Sequence, residues 1–256
     1  MAGLMKPADA GALQPLRRKL NSLGFRDEDE LRCLLDSVKL QRSTPRGEDI
    51  VRAGDAPRRL TVLLAGVACL YQTMESDERQ IYAFYHPGDF CDLYRYLWSK
   101  RAAETAVRAL TDCSIGTIEY RDLDEAIERH RKLALVIWQA TMFEASILRE
   151  GLTNVTQRSA LQRVSHLLCE QLHRLRAIGI DSGVVPLTQI DLADAAGLSV
   201  VHINRVFQDL RELGVISASS PTIEVVNWGH LAEIAKFDHQ YLTMPATLSK
   251  WEVRTE

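Results

Sequence analysis

The chain has 256 residues, 46% of them hydrophobic and 25% charged, with a formal net charge of −3. That length suits two domains or one large one, and that composition is ordinary for a soluble protein. The charge excludes a strongly basic coat, and no apolar run approaches the ~18 residues of a membrane span, so a membrane is not expected as a partner.

The opening MAGLMKPADAGALQP has no proper apolar segment of a secretion signal and reads as a polar lead-in. Residues 13–40 read as helical, with Leu16, Leu20, Leu23, Leu31, Leu34, Leu35 and Val38 interrupted at Asn21 to Gly24. From about 43 to 120 the pattern changes to short apolar runs rich in aromatic and β-branched residues, punctuated by Gly47, Gly54, Gly66 and Gly88. Short strands at regular spacing predict a small sandwich or β-roll. A short helix is expected over 122–130 and a long one over 132–154. Along the long helix Leu135, Trp138, Met142, Ala145, Arg149 and Leu152 recur at 3, 4, 3, 4 and 3 residues. This short heptad-like seam, interrupted by Arg149, suits packing on the chain's own β-rich part or a homodimer. A further helix over 157–177 carries Leu161, Val164, Leu167, Leu168, Leu172 and Leu175, and GIDSGVVP follows as a linker.

The stretch LTQIDLADAAGLSVVHINRVFQDLRELGVI, from Leu187 to Ile216, has the punctuation of a helix-turn-helix. Thr188 is an N-cap with Asp191 three positions on, close to a capping box. Ile190, Leu192, Ala193 and Ala196 supply an apolar face, and Gly197 suits the left-handed residue that ends a helix. Ser199 caps a second helix whose Ile203, Val206, Phe207, Leu210 and Leu213 face inward, and Gly214 stops it. VISASSPTIEVVN then reads as a wing of two short strands around a Ser-Ser-Pro turn, and LAEIAKFDHQYL as a last helix before a polar tail. Between 186 and 230, Arg205 and Arg211 stand against Asp191, Asp194, Asp209, Glu212 and Glu224, leaving the segment three charges negative. Any DNA affinity here needs a local basic face and the doubling of the site by a dimer. The homodimer is therefore the favoured reading of the long-helix seam, because half-site recognition of DNA needs a dimer.

Five cysteines (Cys33, Cys69, Cys91, Cys113 and Cys169), odd in number and without a C-x-x-C spacing, argue against a disulfide framework or a zinc ribbon. They fit a reducing cytoplasm, with no metal site expected. Enzyme motifs such as a phosphate-cradling Gly-rich loop, HExxH or a nucleophile elbow are missing, so no catalytic residues are expected.

With a β-rich first part, a long helix and a winged helix-turn-helix in this order, the chain resembles the CRP/FNR family of bacterial transcription regulators. The helix-turn-helix run, RGEDIVRAGD and HPGDF carry the resemblance, which covers about residues 40–227. It implies an α+β fold with a cyclic-nucleotide-binding-like β-roll (a jelly roll), a long dimerisation helix and a C-terminal winged helix-turn-helix. The expected domains are 1–131 for the N-terminal helices and sensor roll, 132–155 for the dimerisation helix, 156–230 for the DNA-binding domain and 231–256 for a last helix and tail.

By that resemblance Val200, Val201, Asn204 and Arg205 read bases in a palindromic operator of double-stranded DNA, with His202 near the backbone. Thr188, Gln189 and Ser199 are the expected phosphate contacts. Arg205 suits a bidentate bond to guanine, whereas the two valines offer only apolar contact, such as to a thymine methyl. RNA polymerase is a further partner of such regulators. The candidate effector pocket comprises Asp89, Asp92, Tyr94, Glu104 and Arg108. Cyclic-AMP-binding members grip phosphate with an Arg-Ser pair, where this chain aligns Ala103 and Glu104, so cyclic AMP is not expected. Only Cys33 lies early enough to match the N-terminal thiolates of an iron–sulfur cluster, and His86 and His130 are ordinary histidines, so neither a cluster nor haem is expected. The effector is left unknown. An alternative, favoured by the acidic balance, is a small-ligand-binding regulatory module that acts through a protein partner.

Overall fold

A computed structural model describes residues 11–41, 43–56, 58–75, 78–91, 93–98, 104–217 and 222–243. Asp92 of the expected pocket, the Ser-Ser-Pro turn and the tail after 243 lie outside the described residues. Two compact units interleave along the chain: of the described residues, those up to 68, from 85 to 145 and 243 fall in one, and those from 69 to 84 and from 146 to 242 in the other.

The first unit begins with two amphipathic helices, α1 (Gln14–Ser22) and α2 (Glu28–Asp36), separated where the sequence predicts the break. Asp27 caps α2 by accepting from the Asp29 and Glu30 N–H groups. Strands β1 (Lys39–Leu40), β3 (Arg59–Ala65), β6 (Phe90–Cys91) and β8 (Ser114–Glu119) form an antiparallel sheet in the order β1-β8-β3-β6. β2 (Asp49–Val51) pairs antiparallel with β7 (Ala106–Ala109). Leu60 to Leu64 are buried without alternation, because both faces of β3 are covered. Helices α3 (Leu93–Leu97), α4 (Tyr120–Arg129) and α5 (Arg131–Gln157) follow. Leu16, Leu20 and Leu31 of the first two helices join Leu60, Val62, Ile118, Leu123, Val136 and Ile137 in one core.

Two glycines set close approaches in this unit. Gly88, in the HPGDF turn at φ +98°, lies where a Cβ would stand 2.6 Å from the Pro15 carbonyl oxygen of α1. At Gly66, φ +87°, a Cβ would meet the Asp112 carbonyl oxygen at 2.4 Å and the Thr111 hydroxyl at 2.8 Å. Gly66→Ala is expected to cost about 2–5 kcal/mol, combining left-handed strain with overpacking against backbone. Chemical denaturation checks this, and a wild-type midpoint would show that the turn relaxes freely.

In the second unit β4 (Ala68–Thr73) and β5 (Arg79–Tyr85) form a hairpin, with Met74 N–H donating to the Glu78 carbonyl. Helix α6 (Ala160–Ala177) opens with a capping box of Ser159 and Gln162, which share two bonds across the first turn. Of its predicted apolar stripe, Val164, Leu167, Leu168, Leu172 and Leu175 are buried. The segment expected to be a plain linker instead supplies β9 (Val184–Val185), which pairs antiparallel with β10 (Ile223–Glu224). Among the described residues the expected wing pairing appears as a bridge between Ile216 and Val225, flanked by Ser217 N–H donating to the Glu224 carbonyl at 2.8 Å and Val226 N–H donating to the Val215 carbonyl at 3.0 Å. The last helix, α9 (Trp228–Ala235), is shorter than the pattern suggests. It ends at Lys236 in the left-handed conformation, φ 49°. Phe237 and Tyr241 then serve as an aromatic plug: the Phe237 ring packs on His166 and the Tyr241 hydroxyl donates to Glu170.

Candidate nucleic-acid interface

Helix α7 (Gln189–Ala196) and helix α8 (Val200–Glu212) form the helix-turn-helix. Thr188 Oγ1 accepts from Asp191 N–H at 3.1 Å, while Asp191 Oδ2 accepts from Thr188 N–H at 2.9 Å, completing the capping box. Gly197, at φ 63°, ends α7, and Leu198 N–H donates back to the Ala193 carbonyl at 3.0 Å to close the corner. Ser199 caps α8 by accepting from His202 N–H.

The α8 periodicity separates two faces. Ile203, Val206, Phe207 and Leu210 are buried, whereas Val200, Val201, His202, Asn204 and Arg205 are exposed, with Val201 at 81%. Arg211 stacks over the Phe207 ring, while among the described residues Arg205 forms no ion pair. Ser199 is exposed, and Thr188 and Gln189 are half-buried beside it in the chain. Two inward assignments fail: Ile190 is 56% and Leu213 is 41% exposed. Ile190 sits in the first turn of α7, on the side opposite buried Leu192, and Leu213 is the C-cap, where the helix has already ended.

Two of the five carboxylates in this segment are held by a residue far away in sequence. Arg79, on β5, donates through Nη2 to Asp191 Oδ1 and through Nε to Asp194 Oδ2, each at 2.7 Å. Gln80 donates to the Asp194 carbonyl at 2.9 Å. Burial works to lower the Arg79 pKa, but the two carboxylate bonds outweigh it and move the guanidinium above its ordinary value. Asp194 is pushed up by burial more than Arg79 draws it down. The two directions differ for one ion pair, and the 2.7 Å bonds describe a charged contact. The carboxylate count alone therefore overstates the negative charge around α7 and α8. Sequence offers no signal for this cluster, since its members lie 112 and 115 residues apart.

Along α5 the heptad-like seam faces outward. Trp138 and Leu152 are each 65% exposed, Met142 and Arg149 are exposed, and Leu135 and Ala145 are half-buried. Leu133, Val136, Ile137, Ala140 and Ile147 face inward, so core packing on this helix is served by other residues.

The expected effector residues are engaged by separate partners. Asp89 ties the HPGDF turn together, accepting from Lys19 Nζ at 2.9 Å and from His86 N–H at 2.8 Å. Tyr94 shares a 2.7 Å bond with Thr105 Oγ1, Arg108 donates to Asp49 at 2.8 Å, and Glu104 is exposed. A cavity of about 830 Å³ in the roll is lined elsewhere, by Gln41, Thr44, Ile50, Thr61, Ile115 and Thr117 among others. Among the described residues no group of three His, Cys, Asp or Glu side chains converges. No helix among them is long and apolar enough to cross a membrane.

Comparison with known proteins agrees with this layout. A model of the cyclic nucleotide-binding domain matches residues 41–130, and one of the Crp-like helix-turn-helix domain matches residues 162–234. The transcriptional activator protein FnrL of Cereibacter sphaeroides is 24% identical over 219 residues, 83% of this chain and 86% of the relative. The nitrogen fixation regulation protein FixK of Bradyrhizobium diazoefficiens is 29% identical over 173 residues, 67% of this chain and 71% of the relative. In fold, the chain is similar to the solved structure of FixK2 from Bradyrhizobium japonicum, with a TM-score of 0.68 at 22% identity, covering 77% of this chain and 96% of that one.

Proposed function

Because the chain belongs to the CRP/FNR family of transcription regulators, with a β-roll, a long helix and a helix-turn-helix DNA-binding domain, we propose that it is a homodimer that reads a palindromic operator without cyclic AMP. The observation that carries this reading is the exposed N-terminal face of α8. A helix in the major groove must offer side chains that its own core does not need, and Val200, Val201, Asn204 and Arg205 meet that condition. Arg205 reads guanine, Asn204 reads adenine or a phosphate, and the valines touch a thymine methyl. His202, Thr188, Gln189 and Ser199 contact the backbone. Dimerisation runs along the α5 seam, where exposed Trp138, Met142 and Leu152 need cover.

Cyclic AMP is left out of the reading because Glu104 stands where relatives of known mode place a phosphate grip, and Arg108 is paired with Asp49. The same reading makes the protein cytoplasmic, a non-enzyme and a partner of RNA polymerase at the promoter. The acidic balance behind the alternative, a module acting through a protein partner, is reduced by the Arg79 bonds to two of the carboxylates.

In vitro selection on random duplexes, with the full-length protein, tests the proposal. The expected product is a two-fold symmetric site bound equally with and without cyclic AMP; no enriched sequence would refute the reading. Trp138→Glu combined with Met142→Glu is expected to give monomers in sedimentation and to weaken operator binding about 100-fold or more, because one half-site then works alone.

A further inference from the structure

The β4–β5 hairpin lies within the residues matched by the cyclic nucleotide-binding model, 41–130, yet it packs in the same compact unit as the helix-turn-helix. Its most distinctive contact falls on one carboxylate. Asp191 Oδ2 completes the α7 capping box with Thr188, while Oδ1 of the same group accepts from Arg79 Nη2 at 2.7 Å. Asp194, one turn on, takes Arg79 Nε, and Gln80 takes its carbonyl. At the far end of α7, Arg163 of α6 donates to the Ala196 carbonyl at 3.3 Å. The side chain of Asp191 is 7% exposed, that of Arg79 19% and that of Asp194 22%, so solvent screens these bonds weakly.

This geometry matters for a helix whose N-terminus is to meet a phosphate. An uncompensated carboxylate at that N-terminus repels the phosphate and competes for the helix dipole. A second carboxylate one turn away adds to the repulsion. Resting on the DNA-reading function above, we propose that Arg79 is a positioning residue for operator recognition. Its single positive charge offsets one of the two negative charges of Asp191 and Asp194 while its bonds hold both carboxylates, and it fixes α7, and with it the presentation of α8. Thr188 and Gln189 then approach the backbone against a smaller charge penalty, although Arg79 touches no base.

The test measures fluorescence anisotropy of the full-length protein on its selected operator between 50 and 300 mM salt. Arg79→Gln, which keeps hydrogen-bonding capacity without charge, is expected to lose about 10-fold in affinity at low salt, whereas Arg79→Lys loses less. Adding Asp194→Asn to Arg79→Gln is expected to restore part of the loss, because it removes one uncompensated carboxylate. Thermal melting of each variant separates a loss of binding from a loss of folding. Wild-type affinity for Arg79→Gln overturns the proposal. So does equal binding by the Lys and Gln variants, or a loss that Asp194→Asn does not relieve. Failure of the wild-type protein to select any operator would instead refute the DNA-reading function itself, before Arg79 is tested.

Discussion

Arg205→Ala is expected to remove selective operator binding while leaving the fold intact. Its Cα sits one turn beyond Val201 on the exposed face of α8, and its loss creates no cavity because the inward face is filled by Ile203, Val206 and Phe207. A bidentate arginine–guanine contact contributes about 1–3 kcal/mol of discrimination, and a symmetric dimer makes it twice, for about 2–6 kcal/mol. The lower bound corresponds to roughly 30-fold in affinity. The loss should appear as a collapse of the ratio between operator and random duplex, since a base contact carries the sequence information and phosphate contacts do not. Ser199→Ala, by contrast, should weaken operator and random DNA alike. An unchanged operator preference in the Arg205→Ala variant would assign base reading to other side chains of α8.

The second large effect concerns pH. His166, on α6, is 1% exposed, and burial together with the charge of Arg158 lowers its pKa to about 3. Its Nε2 lies 3.2 Å from Glu150 Oε1, yet neither ring nitrogen makes a hydrogen bond, so at neutral pH the imidazole is uncharged and the contact is not an ion pair. Glu150 is instead bonded to Arg158 at 2.6 Å, and the imidazole stacks on the Tyr241 ring. The folded pKa lies below that of the unfolded chain, so the unfolded state takes up the proton first. Stability is fully present above about pH 6.5 and declines as pH falls towards 3, approaching ~1.4 kcal/mol per pH unit and on the order of 5 kcal/mol in all. Glu170, raised by burial, works in the opposite sense, because the folded state favours its protonated form. His166→Phe keeps a ring against Tyr241 and removes the titration. The difference between the two proteins in denaturation midpoint from pH 7 to 4 therefore isolates the histidine. Parallel curves over that range would show that His166 is protonated in the folded protein without cost.

The architecture was largely legible because its signals are local. Helix faces repeat every three or four residues, caps sit beside the helices they cap, and Thr188, Gly197 and Ser199 punctuate the helix-turn-helix within a dozen positions. The same locality explains the errors. Ile190 fits an apolar pattern but faces outward from the first turn of α7, and the linker before Pro186 pairs as β9 with a strand some forty residues later. The expected pocket residues Asp89, Tyr94 and Arg108 bond in different directions, to Lys19, Thr105 and Asp49.

From its order of residues alone, the chain determined a β-roll, a long helix with a heptad-like stripe and a helix-turn-helix whose second helix carries Arg205 on its outer face, since each depends on periodicity and capping within a few turns. Tertiary structure decided what surrounds them. Arg79 reaches Asp191 across 112 residues, Gly66 meets the carbonyl of Asp112, and His166 loses its proton to burial under the aromatic plug. Such contacts join side chains whose separation in sequence carries no period, and their energies depend on distance and burial, which only the folded chain defines.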